Sequence, residues 1–387
     1  MIGAGILGVC VAARLAEAGV GVTLLERDRP GRAATGSSFA WLNANDKAPR
    51  AYHDLNHAGM RAWAGLAARS GGAAWYRPAG NLEWAQSAPG RAHLAARVRR
   101  LTEWGYPARP IDAAQAAELE PSLRLPHPAP DVAWFPDEGY LLTEPLVSHM
   151  AEAAARHGAT VLTGEPGRVV GLHTVPGAGG AGTGRRMEVR TAAGQVIPAD
   201  VVVCCAGRGV PELAALAGAT GPVPLVGWAE PGATAPGLVV QAGPVTPLGP
   251  QRMVHAPRVY LRPHSGGLVH LEAPDAAVDL HTPEADLRRW AEKLLRRARR
   301  VVRGLQDARV TGHRVCVRPM PADGRSIVGP LPGAGGLYVA VTHSGVTLAA
   351  HLSRLIAAEL VTGVAAAELA PYRPGRFANG ARPTKEA

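Results

Sequence analysis

Lysine is nearly missing from this 387-residue chain: only Lys47, Lys293 and Lys385 accompany the arginines. Cysteine is scarce too. Cys10, Cys204, Cys205 and Cys316 are too few and too scattered for a disulfide scaffold, and no CxxC pair suggests a zinc or other metal site. No apolar run approaches the roughly 18–20 residues needed to span a bilayer, so a soluble globular protein without stable membrane insertion is expected. The start shows neither a basic leader segment nor a small-residue cleavage site, which makes the cytoplasm the expected location. Acidic residues are outnumbered, 31 against 41, for a net charge of +10. No DNA- or RNA-binding signature accompanies that excess, so the expectation is a preference for arginine rather than a nucleic-acid partner.

Glycine and proline are plentiful, at 47 and 34. That composition suits a disordered chain, but 47% hydrophobic residues can bury enough surface to offset chain entropy. At about 100–200 residues per domain, the length suggests two or three domains.

The first 26 residues read as the front of a βαβ unit. Met1-Ile2 is the stub of a strand, Gly3-Ala4-Gly5-Ile6-Leu7-Gly8 fits GxGxxG, and Val9 to Ala18 reads as a helix. Val20 to Leu25 then alternates into a second strand closing at Glu26 and Arg27. The first glycine permits a tight turn, the second lets backbone approach a pyrophosphate, and the third packs helix on strand. Helix N–H groups face the phosphates, and the Glu26 carboxylate suits ribose hydroxyls while repelling a 2′-phosphate. This signal fits FAD and NAD equally. A buried parallel strand usually has about five residues, so the native start is expected upstream of Met1.

Further along, Ala51 to Ala68 and Leu146 to Arg156 have helical periodicity, residues 74–140 mix short strands with a helix near 91–104, and Thr160 to Val170 is strand-like. The Gly-rich run 176–184 reads as a hairpin loop, and Val201 to Cys205 as a buried strand ending in Ala206-Gly207. Ala285 to Leu305 is the clearest helix. One face is apolar and the other carries Arg288, Arg289, Lys293, Arg296, Arg297, Arg299, Arg300 and Arg303. A solvated outer face is the expectation; an anion or membrane surface is the alternative. Leu337 to Val341 reads as a strand, followed by a turn and a helix from Val346 to Leu360.

The segment from Cys316-Val317-Arg318-Pro319 through Asp323-Gly324-Arg325 to Thr342-His343-Ser344-Gly345-Val346-Thr347 resembles the D-amino-acid oxidase, glycine oxidase and sarcosine oxidase superfamily of FAD-dependent amine oxidoreductases. Thr35-Gly36-Ser37-Ser38-Phe39-Ala40 is similar to its second phosphate-contacting motif, especially in the D-amino-acid dehydrogenase branch. The resemblance is good at both ends and over 160–210, and poor in the middle third. It implies an α/β fold: a discontinuous Rossmann-like FAD-binding domain from 1–70, 140–215 and 308–387, with an α+β substrate domain on an antiparallel sheet from 71–139 and 216–307.

Carried over by position, the resemblance implies cofactor contacts at Gly3 through Gly8, at Glu26 and Arg27, and at Ser37 and Ser38. It also implies them at Val169 beside the adenine, at Ala206 and Gly207, and at Gly345, Val346 and Thr347 near the pyrimidine end of the flavin. Some relatives place a lysine near that last turn; here Leu348-Ala349 stands instead. Cys316 falls where some members attach flavin covalently, but a small buried core thiol is the preferred reading. Arg318 matches the substrate-carboxylate clamp, with a structural salt bridge to Asp323 or another acid as the alternative. Tyr260 and Arg262 share a sheet face by alternation, so Tyr260 is a candidate for the substrate pocket or an edge-strand surface residue. His343 is a candidate beside the flavin turn, and Asn43 and Asn45 are lesser ones. The implied reaction is oxidation of a C–N bond in an amino acid or secondary amine, with oxygen or an electron carrier as acceptor. The rivals are an NAD-dependent dehydrogenase and a noncatalytic or RNA-modifying protein.

Overall fold

The computed structural model describes residues 1–176 and 185–377, so most of the expected 176–184 loop lies outside the described residues. A parallel sheet is built outward from Ile2, which bridges Leu25 on one side and Cys204 on the other. The Gly3 N–H donates to the Leu25 carbonyl and the Cys205 N–H to the Ile2 carbonyl, both at 2.8 Å. Thr23–Glu26 pairs in parallel with Thr160–Thr163, and Val202–Cys204 with Leu337–Val341. Ile327–Pro330 closes the edge antiparallel. All five residues of Leu337–Val341 are buried, as expected of a parallel strand covered on both faces. The helix Ile6–Glu17 is apolar nearly all round because it lies among other elements, packing on the helices Thr143–Arg156 and Gly345–Thr362. Arg50–Arg69 packs on the latter from outside. A separate antiparallel sheet comprises Val169–Pro176, Arg185–Thr191 and Val196–Ala199.

The second large sheet has eight strands, in the order Arg309–Val317, Pro236–Gly243, Leu268–Glu272, Val259–His264, Met253–Ala256, Asn81–Glu83, Val132–Phe135 and Arg109–Ile111. It is antiparallel except where Met253–Ala256 runs parallel to Asn81–Glu83. Period-two alternation gives it two unlike faces. Leu238, Val240, Val254, Leu261, Val269 and Leu271 form the apolar face, packed with Leu294, Leu295 and Ala298 of the helix Glu284–Val301. The other face carries Gln241, His255, Tyr260, Arg262, His270 and Glu272, and it meets the first sheet's connections: the Arg262 Nε–H donates to the Phe39 carbonyl at 2.5 Å. Arg309–Val317, counted by sequence with the nucleotide-binding segments, hydrogen-bonds into this second sheet.

The basic helix ends at Val301 rather than Leu305 because Val302 bridges Leu123 and the Arg303 N–H donates to the Ser122 carbonyl. Several of its arginines are tied locally. Arg297 holds Asp275 through two bonds of 2.7 and 2.8 Å, Arg299 donates to the Leu305 and Ala308 carbonyls, and Arg288 bonds Glu284 at 2.9 Å. Among the described residues no single helix is long and apolar enough to cross a membrane.

Candidate active site

The opening turn is shaped by close approach. Gly3 has φ +94°, and a Cβ there would stand 2.8 Å from the Ala206 Cα and the Cys205 carbonyl oxygen. A Cβ on Gly8 would collide with the Gly3 carbonyl. Both glycines therefore let the first helix start hard against the strand end at Cys205. The Ala4 N–H donates to Glu26 Oε2 at 2.8 Å and the Ile6 N–H to Thr35 Oγ1 at 3.0 Å. Val9 donates to the Gly5 carbonyl at 3.0 Å. Other first-turn donors have no intrahelical carbonyl to bond, which is the physical basis of an anion site at a helix start.

This turn opens onto a cavity of about 510 Å³, within the range of cofactor pockets. The cavity runs from the opening loop to the closing one. Among the residues expected at the cofactor, Gly3, Gly5, Ile6, Leu7, Glu26, Arg27, Ser38, Val169, Ala206, Gly207, Cys316, Gly345 and Val346 line it, together with Arg318 and His343. Ala4 and Gly8 lie behind its wall in the roles described above. The Ser37 hydroxyl turns away, donating to the Ala33 carbonyl at 3.1 Å. Thr347 stitches the closing helix to the strand beside it: its hydroxyl donates to the Trp41 carbonyl at 3.3 Å and accepts from the Asn43 N–H at 3.4 Å. Tyr260 lies outside the lining, stacked on His255 with ring centroids 4.2 Å apart. Thr35, quoted in the second motif but not singled out, is a wall residue that caps Ile6. Its only sequence signal is a hydroxyl two positions before Ser37.

Arg318 donates from Nε to the Ala235 carbonyl at 2.9 Å and from Nη2 to the Thr234 carbonyl at 3.0 Å. These bonds fix the guanidinium without neutralising it. The salt bridge to Asp323 is not formed, because that carboxylate is held by Arg376 at 2.9 Å and Arg325 at 3.4 Å. His343 is neutral: burial, with help from Lys47 and Arg318, lowers its pKa to about 3. Burial raises the pKa of the Cys316 thiol, whose Sγ lies 3.7 Å from the Ala34 carbonyl oxygen. Asn43 and Asn45 are buried, and neither side-chain amide atom of Asn45 has a partner among the described residues.

Behind this wall Glu138 gathers three donors: the Tyr106 hydroxyl at 2.8 Å, the Trp41 indole N–H at 2.9 Å and the Asn81 amide at 3.0 Å. Burial dominates even so and raises its pKa to about 8.

Residues 1–359 match the family described as FAD dependent oxidoreductase, DAO. The chain belongs to this family. Its cofactor is therefore FAD, which removes the NAD-dependent reading. The constricted turn, the helix-start donors and the continuous cavity all fit a bound dinucleotide. Solved structures of this FAD-dependent fold include glycine oxidase from Geobacillus kaustophilus, 22% identical, with a TM-score of 0.79 and 97% of each chain covered. L-proline dehydrogenase from P. horikoshii is 18% identical with a TM-score of 0.80, covering 98% of this chain and 97% of its own. Iminodiacetate oxidase from Chelativorans sp. BNC1 is 23% identical with a TM-score of 0.75, covering 96% of this chain and 98% of its own. A curated relative, the tRNA 5-methylaminomethyl-2-thiouridine biosynthesis bifunctional protein MnmC of Chromohalobacter salexigens, is 31% identical over 169 residues. That match takes in 43% of this chain and 23% of the relative's length.

Proposed function

We propose that this FAD-dependent oxidoreductase oxidises the C–N bond of an amino acid, primary or N-substituted, to an imine that water then hydrolyses. One observation carries the reading: Arg318, a guanidinium with no carboxylate partner among the described residues, lines the same cavity as the opening and closing loops. A planar guanidinium cannot lose its charge and binds a carboxylate through paired hydrogen bonds. Glycine oxidase, L-proline dehydrogenase and iminodiacetate oxidase are named for carboxylates that bear nitrogen, which supports the same class.

When bound, FAD would supply the two-electron acceptor for this oxidation. The chain's residues do the rest. Glu26 and the first helix would hold the adenosine and pyrophosphate end, and Gly345 and Val346, at the start of a helix, would offer backbone donors to the flavin. Arg318 fixes the carboxylate and thereby the direction of the α-C–H bond, and such alignment supplies much of an enzyme's acceleration. His343, neutral, lines the same wall and offers a hydrogen bond without adding charge. The acceptor that reoxidises the enzyme is oxygen or an electron carrier, and the segments 1–70, 140–215 and 308–387, apart from the strand Arg309–Val317, form the cofactor domain in this reading. Anaerobic mixing of the FAD-loaded protein with a panel of amino acids and amines is the test. Bleaching of the flavin absorbance by carboxylate-bearing amines is expected; bleaching by none of the panel would overturn the proposal.

A further inference from the structure

The polar face of the eight-stranded sheet also holds the carboxylate of Glu272. Tyr260 lies directly opposite Glu272, Glu272 opposite Val239, and Cys316 opposite Gly237. Direct partners in an antiparallel ladder project to the same face, so Glu272, itself outside the cavity lining, shares a face with Cys316, which is part of that lining. The Arg318 guanidinium covers Gly237: a Cβ built there would stand 3.7 Å from Arg318 Cζ. Gly237 and Val239 are two positions apart on one strand, roughly 7 Å. The Glu272 side chain therefore starts one strand over and about that far along from the guanidinium. Its carboxylate is held above the ordinary range by burial, opposed only by the charge of Arg318, with no hydrogen bond contributing. A carboxylate in that setting is costly unless a cation joins it.

We infer that Glu272 recognises the substrate's nitrogen, facing the ammonium while Arg318 holds the carboxylate. This rests on the proposed function and narrows it to zwitterionic amino acids. Carboxylates lacking nitrogen and amines lacking a carboxylate satisfy only one of the two groups. Glu272 also gives the ammonium proton somewhere to go. The N–H bond breaks, an O–H bond forms on the carboxylate, and the nitrogen keeps the lone pair that imine formation requires.

The test uses FAD-loaded protein without oxygen, titrated with glycine against glycolate and with L-proline against tetrahydro-2-furoate. Each pair differs at the nitrogen. Binding is read from perturbation of the flavin spectrum and from the shift in melting temperature. The wild type is expected to favour the nitrogen-bearing member of at least one pair by about tenfold or more, as a charge-assisted contact warrants. Glu272→Gln should bring that ratio near one without changing FAD content or affinity for the nitrogen-free acid, and Glu272→Asp should recover part of it. A wild type that distinguishes neither pair, or a Glu272→Gln variant that keeps the ratio, overturns the inference. Amino acids that bind with the expected preference yet never bleach the flavin would contradict the oxidation and leave the recognition standing.

Discussion

Arg318 is held by backbone carbonyls and forms no ion pair among the described residues, so a substitution there tests the proposed carboxylate contact with little structural disturbance. Arg318→Ala is expected to raise KM by roughly 100-fold and Arg318→Lys by about tenfold, since lysine keeps the charge but loses the fork. FAD content should be unchanged in both, as read from the absorbance ratio of the purified proteins. Glu138 makes a different prediction. Its folded pKa of about 8 lies above the ordinary 4.5, so the folded state binds the proton more tightly than the unfolded chain. That stabilisation is full below about 4.5 and is lost as pH rises through about 8. The denaturation midpoint should therefore fall from pH 5 to pH 8, and Glu138→Gln should flatten the slope. Both tests concern residues of unequal visibility: Arg318 stands in a recognisable run before Pro319, whereas Glu138 carries no local pattern and acquires its role only when Trp41, Asn81 and Tyr106 converge on it.

Elements that satisfy a local rule could be read directly. The strand Leu337–Val341 is a short apolar block between glycine-rich turns and was placed to the residue. The helix Arg50–Arg69 follows the spacing of Tyr52, Leu55, Met60 and Trp63. Register across the eight-stranded sheet could not be read, because it depends on which strands meet, and so Glu272 went unremarked although Tyr260, its direct partner, did not. The parallel pairing of Met253–Ala256 with Asn81–Glu83 joins segments far apart in sequence and leaves no local trace. Helix contact yields a prediction of its own. A Cβ on Gly59 would collide with the Thr347 carbonyl, where the helix Arg50–Arg69 crosses the start of Gly345–Thr362. Gly59→Ala should cost about 1–3 kcal/mol, as overpacking does. It should also weaken FAD retention by shifting the Val346-Thr347 turn, whereas Gly65→Ala, which meets only the end of the Arg69 side chain, should do neither.

At the scale of the whole molecule, the cofactor cavity draws on distant parts of the chain: the opening turn, the Thr35 to Ser38 segment, the Val169 strand end, the Ala206-Gly207 turn and the closing loop. None of these closes the site alone, so FAD bound there would stabilise the folded state by mass action. The melting temperature of FAD-depleted protein should climb steadily as FAD is added, and replacement of Gly3 by valine should abolish the climb. The central claim is that a hydride leaves the substrate's α-carbon once Arg318 has aligned it. Stopped-flow anaerobic reduction with an amino acid carrying hydrogen or deuterium at that carbon tests it most directly. Flavin bleaching is predicted to be several-fold slower with deuterium, and equal rates in a step limited by bleaching itself would contradict the account.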